Sequence, residues 1–306
     1  MGRMLLHFSG IVGIMDSKRI EPREGWWLMK KKTVYYTSES DDLFSAEGVV
    51  AKKIDASYRY HRTNPFWLAF SFFLHRIIAP PLAFLYTKIK FSERFVGKRA
   101  LRAHRRDGYM IFMNHTLLGM DALTPNLAAF PKKTYIIVHP DNVSLPVIGA
   151  LTPFLGALPL PSDLKSTRNF TEKIGTVLKS RGVVAVYPEA RTWPYYTKIR
   201  DFPSTSFTFA VKFDSPVYAL TRTFSRGLFG RVKSTVYIDG PFYPDKALHP
   251  REAKEKLCAE VKAAMKARAA LSSYEVIEYK RRIPNAQPEF DAYDEKASIK
   301  NQSPRG

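Results

Sequence analysis

The sequence predicts an α/β domain on a mostly parallel sheet flanked by helices, and three observations predict it. Apolar runs of strand length recur at Tyr109 to Met113, Thr134 to Val138, Val183 to Tyr187, Val217 to Thr221 and Val232 to Ile238. Continuous rather than alternating apolar character marks strands buried on both faces, as parallel strands are. Helical patterning lies between these runs, and strands alternating with helices build parallel sheets. Ahead of the domain, residues 65–91 form the most apolar segment of the chain.

In chain order, residues 1–28 read as an N-terminal extension. Met4 to Met15 is mildly apolar but lacks a small-residue cleavage site, so it is not read as a signal peptide. Met29, followed by three lysines, is a candidate alternative start, and 29–64 is a separate N-terminal segment. In 65–91, His75-Arg76 sit mid-segment and Pro80-Pro81 break the helical pattern. Two short helices meeting near Arg76 to Pro81 and dipping into one leaflet are therefore expected, with an ordinary core hairpin as the competing reading. Phe66, Trp67, Phe70, Phe72, Phe73, Phe84 and Tyr86 would meet lipid, and Arg76, Lys88 and Lys90 the headgroups.

Residues 92–283 would form the α/β domain. Its readable helix has Asn169 as N-cap, Glu172 three later, and Phe170, Ile174, Val177 and Leu178 on one face before Gly182. Residues 250–281 predict a long helix with Leu257, Val261 and Met265 in one stripe, and 284–306 a polar tail. The aromatic run from Thr192 to Phe209 either lines an apolar groove or packs the core; packing is the expectation.

Among 306 residues there are 48 Lys and Arg against 28 Asp and Glu, a net charge of +20. That surplus implies an anionic partner: nucleic acid, an acidic lipid surface or phosphorylated small molecules. No RNP-like aromatic motif or helix-turn-helix pattern supports nucleic acid, and the basic residues are dispersed. Cys258 is the single cysteine, so no intrachain disulfide or multi-thiolate metal site can form, and a reducing compartment follows naturally. No HExxH or paired-histidine spacing points to a metal.

Two loops could carry chemistry. Met113-Asn114-His115-Thr116, with Asp121 beyond, follows one strand; Tyr187-Pro188-Glu189-Ala190-Arg191-Thr192 follows another. Histidine at the carboxyl end of a strand in an open α/β sheet lies where ligands usually bind, and a nearby carboxylate could fix its tautomer for proton abstraction. Each loop alone has a plain structural reading. Leaving the same kind of strand, both should open on one sheet edge.

Together, NHT…D and YPEAR resemble the glycerol-phosphate and lysophosphatidate acyltransferase family, with its His-x4-Asp and Pro-Glu-Gly-Thr-Arg-like motifs. Ser215 to Leu220 resembles the family's proline-led fourth block, and Gly156 to Leu160 lies where the second belongs. The resemblance covers roughly residues 65–245. It implies that His115 deprotonates an acceptor hydroxyl, that Asp121 orients His115, and that Asn114, Thr116, Glu189 and Arg191 form the substrate-binding surroundings. The alkoxide would attack a thioester or acyl phosphate, with acyl-CoA, acyl carrier protein or acyl phosphate as co-substrate and no cofactor, metal or covalent intermediate. The implied setting is peripheral or monotopic, on the cytoplasmic face of an anionic membrane; the alternative is a non-catalytic anionic-lipid or nucleic-acid binding protein.

Three departures accompany the resemblance. Five residues rather than four separate His115 from Asp121, so the pair needs a non-helical turn, which Gly119 could supply. Ala190 replaces the family's glycine, with Arg191 one position early and Thr192 where arginine is usual. The second block's phosphate-binding arginine is missing near Ser162, leaving Lys165, Arg168, Lys198, Arg200 or Arg222 as substitutes.

Overall fold

The computed structural model describes residues 32–43, 50–117, 119, 121–146 and 148–282. The extension over 1–28, the Met29 start and the tail over 284–306 lie outside the described residues.

The strands are β1 (Lys32–Tyr36), β2 (Arg94–Val96), β3 (Tyr109–Met113), β4 (Thr134–Val138), β5 (Ala157–Pro159), β6 (Val183–Val186), β7 (Val217–Arg226), β8 (Val232–Phe242) and β9 (Ile277–Arg281). The helices are α1 (Pro65–Phe73), α2 (Ala79–Phe91), α3 (Thr124–Ala129), α4 (Ile148–Leu151), α5 (Leu164–Lys179), α6 (Thr208–Lys212) and α7 (Pro250–Ala269). Seven strands make one sheet in the order β2-β8-β7-β3-β6-β4-β5, parallel except for the β7–β8 hairpin. The mostly parallel sheet expected from the apolar runs is thus present.

Every residue of β3 is buried, and its alternating side chains feed both faces. Met110 and Phe112 join a core under α5 and α7; Tyr109, Ile111 and Met113 join one closed by α3 and the turn at Leu101. The expected bounds of β3 and β4 match the structure. The strands β7 and β8 outrun the expected runs: Arg222, Thr223 and Phe224 are buried as well, and cross-strand pairing carries the ladder on to Arg226 with Val232.

Two helix boundaries differ from expectation. The helix read as starting at Asn169 begins at Leu164, because Asp163 and Ser166 form a capping box. Glu172, read as the cap partner, instead meets Arg168 at 3.0 Å, while Phe170, Ile174, Val177 and Leu178 are buried as expected. The helix expected over 250–281 ends at Ala269, its Leu257, Val261 and Met265 stripe buried. Residues 277–281 instead pair in parallel with β1.

The expected break within 65–91 is also corrected. The chain runs as one helical rod from Pro65 to Phe91, 27 residues long, and by length and composition it could cross a membrane. A π-helical turn at Leu74–Ile78 joins α1 to α2, with the amide of Ala79 donating to the Leu74 carbonyl. That extra residue places Pro80 and Pro81 in the first turn of α2, where a missing N–H costs least. The face turned to the domain carries Ser71, His75, Ala83, Thr87 and Phe91 in steps of four or eight, mostly small or polar. Ser71 Oγ donates to the Phe154 carbonyl at 2.7 Å, and His75 Nε2 lies 2.8 Å from Asn126 Oδ1. Apart from Phe91 and Trp67, which stacks on Phe154, most of the large apolar side chains face outward.

Candidate active site

The strands β3 and β6 are parallel neighbours, so the loops after them leave the same sheet edge. Backbone bonds then lace the loops together: the Trp193 amide donates to the His115 carbonyl at 3.1 Å, and that of Tyr195 to Thr116 at 2.8 Å. Glu189 adds a third tie, its carboxylate accepting from the amides of His115 (3.1 Å) and Arg200 (3.0 Å).

His115 Nδ1 lies 2.7 Å from Asp121 Oδ2, and Thr192 Oγ1 lies 2.6 Å from Nε2. The His115 side chain is 22% exposed and Asp121 is buried. Among the described residues between the two, none is helical. Gly119, at φ +69°, turns the chain so that Asp121 Oδ2 also accepts the amides of Thr116 (2.8 Å) and Leu117 (2.9 Å). The ring of Tyr187 lies 4.6 Å from the imidazole, tilted 33°, and its hydroxyl donates to the Asp121 carbonyl.

Behind Asp121 stands Arg222, fully buried in β7. Its guanidinium pairs with Asp121 Oδ1 and, at 2.9 Å, with Glu93 Oε2. Burial alone would raise the Asp121 carboxyl, but Arg222, the His115 hydrogen bond and the Leu117 amide outweigh it and hold it below the ordinary range. For Glu189 burial wins: its carboxyl is raised although Arg200 Nη2 lies 3.3 Å away. The edge therefore holds one firmly ionised carboxylate on one imidazole nitrogen, with a hydroxyl on the other. That is an arrangement for proton abstraction.

The acyltransferase family profile matches residues 93–222, a span that begins at Glu93 and ends at Arg222 and contains both loops. This chain carries a domain of the acyltransferase family. Among solved structures, the chain is similar to the crystal structure of PlsC, the 1-acyl-sn-glycerophosphate (LPA) acyltransferase from Thermotoga maritima. The two are 19% identical, over 68% of this chain and 89% of that one, with a TM-score of 0.48. No curated protein sequence matches this chain significantly.

Within the acyltransferase domain the structure brings His115 and Asp121 together, and the residues expected to surround the substrate are placed as follows. The Asn114 side chain is consumed by the Arg222 peptide, donating to its carbonyl at 3.0 Å and accepting its amide at 2.8 Å. Thr116 is fully buried and Glu189 is committed to the loop ties, so these three shape the edge from behind. Arg191 lies at the surface, 2.7 Å from Asp42. Arg200 and Arg222, named as possible phosphate ligands, are sealed and ion-paired, and so are not available for that role. The aromatic run from Thr192 packs the core as expected, with Trp193, Phe202 and Phe207 buried.

Thr192 and Tyr187 lie inside the motif already quoted, yet only the fold shows that they meet the imidazole. Glu93, just beyond α2, carries no sequence signal. An apolar cavity of about 110 Å³ lies beneath the helical rod, lined by Ala83, Leu123, Leu127 and Ile136 among others.

Proposed function

We propose that this protein transfers a fatty acyl group from a thioester or acyl phosphate onto a hydroxyl of a lysoglycerophospholipid-type acceptor at a membrane surface. The observation that carries the reading is the bond from His115 Nδ1 to the buried Asp121 carboxylate. With the Nδ1 proton held there, Nε2 presents a lone pair, which now accepts the Thr192 hydroxyl. An acceptor hydroxyl takes Thr192's place, gives its proton to Nε2, and attacks the acyl carbonyl. The C–O bond forms, the bond to sulfur or phosphate oxygen breaks, and the leaving group takes the proton back from His115. Formally, Asp121 and Glu93 carry two negative charges against one positive on Arg222, so the imidazolium formed in this step neutralises the cluster. The step needs no metal or cofactor, and acyl-CoA, acyl carrier protein or acyl phosphate fits it as co-substrate. The apolar cavity under the rod would take part of an acyl chain.

The rod supports the membrane part of the reading. A water-facing helix turns its apolar stripe to the core, whereas this one turns Ser71, His75, Ala83 and Thr87 inward and leaves Phe66, Phe72, Phe84 and Ile89 more than half exposed. That pattern suits a monotopic helix lying in the headgroup and acyl boundary. A net charge of +20 favours the anionic cytoplasmic leaflet over nucleic acid as the partner.

The test is mass spectrometry of products from purified protein given mixed lysolipids and several acyl donors. An acylated glycerophospholipid formed by the parent supports the assignment. A folded protein that binds anionic vesicles yet transfers no acyl group from any donor would favour the non-catalytic lipid-binding alternative.

A further inference from the structure

A second feature lies at the amino-terminal edge of the sheet, away from His115. A cavity of about 40 Å³ sits between the start of α1, β4, β5 and α5. Its walls include the rings of Tyr58, Trp67 and Tyr135 and the cations Arg59, Arg62 and Lys173, and among the described residues no carboxylate lines it. The Arg62 guanidinium lies 6.0 Å from the Tyr58 ring and 5.8 Å from that of Trp67, and the Lys173 ammonium 5.0 Å from Tyr135. A further ammonium, that of Lys133, lies 5.1 Å from the same Tyr135 ring and donates to Ser71 Oγ at 2.8 Å. Among the described residues none of these four cations forms an ion pair, and the nearby Glu172 is engaged by Arg168.

Arg59 is exposed, but Arg62, Lys133 and Lys173 are partly buried, and partly buried cations without counter-charge are costly, with ring faces compensating only in part. Burial lowers Lys173, and burial together with Lys173 and Arg76 pushes Lys133 down to about 8. A phosphate-bearing anion would relieve this excess of positive charge. Its source follows from the position of the pocket: Trp67 and Leu68 of α1 form part of the wall, and Phe66 and Phe70 beside them are exposed. A headgroup seated here leaves its acyl chains along the apolar face of the rod.

We propose that this pocket binds the phosphate headgroup of an anionic lipid and so fixes where the rod meets the bilayer. The inference rests on the membrane-surface reading given above. It is tested on the full chain by sedimentation with vesicles of phosphatidylcholine, with or without phosphatidate. Arg62→Gln combined with Lys173→Met should lower affinity for the phosphatidate vesicles about tenfold or more. Binding to phosphatidylcholine alone, and acyl transfer in detergent, should not change. The charge-preserving pair Arg62→Lys and Lys173→Arg should retain most of the affinity. As a control, Arg168→Gln with Lys179→Met removes two charges from α5 outside the pocket. Equal losses from the control and pocket pairs, or no loss from the pocket pair, overturn the site. Inorganic phosphate competing as well as dihexanoyl phosphatidate would overturn the lipid assignment. A parent protein that binds neither vesicle type defeats the membrane reading itself, a result distinct from failure of the pocket alone.

Discussion

His115 and Asp121 are six positions apart, which on a helix would set them about 240° apart. The contact exists because Asp121 accepts the amides of Thr116 and Leu117 and Gly119 has a positive φ, so the described residues between the pair do not follow a helical face. Both residues were legible from their motif, and so was the need for a turn at Gly119. Arg222 as the partner of Asp121, and Glu93 as the partner of Arg222, were not, since pairing across 101 and 129 positions leaves no local pattern. Arg222→Met would strand two carboxylates in the interior and should destabilise the protein by about 3–5 kcal/mol, read by denaturant unfolding. A loss within 0.5 kcal/mol would contradict the network. Because the folded Asp121 carboxyl is depressed, its contribution is complete above the unfolded value of about 3.9 and fades as pH falls through the lower folded value. The stability gap between parent and Asp121→Asn should therefore shrink below about pH 4; a constant gap would contradict the depressed carboxyl.

Local chemistry made most elements legible, and the misreadings have local or long-range causes. The start of α5 was missed because its capping box uses serine in place of the usual glutamate or glutamine. The end of α7 was missed because no glycine or proline marks it; what takes residues 277–281 out of helix is a parallel ladder to residues 32–36. In the rod, Pro80 and Pro81 read as a break, while the π turn absorbs them. Because its inner stripe is packed on the domain, deleting 65–91 would unfold more than it tests. Replacing Phe66, Phe72 and Phe84 with serine should spare thermal stability and weaken vesicle binding at least tenfold by flotation. Unchanged flotation would contradict the lipid-facing assignment.

At the scale of the molecule, the described residues of the N-terminal segment pack onto the domain. Ile54 is in the core, Asp41 accepts the Trp193 indole N–H at 3.1 Å, and Glu39 accepts from Arg200 at 3.1 Å. These contacts brace the Glu189 loop from behind, and nothing in their composition announces it. The charge surplus was legible at once; the cation-lined pocket beside the outward apolar rod was not, because it gathers residues distant in sequence. The most direct test of the account is acyl transfer to lysophosphatidate in vesicles, comparing the parent with His115→Ala and Asp121→Ala, each confirmed folded by circular dichroism. The expected result is a loss of at least about a hundredfold in both variants with vesicle binding intact. Transfer by the His115→Ala variant at the parental rate would contradict the account.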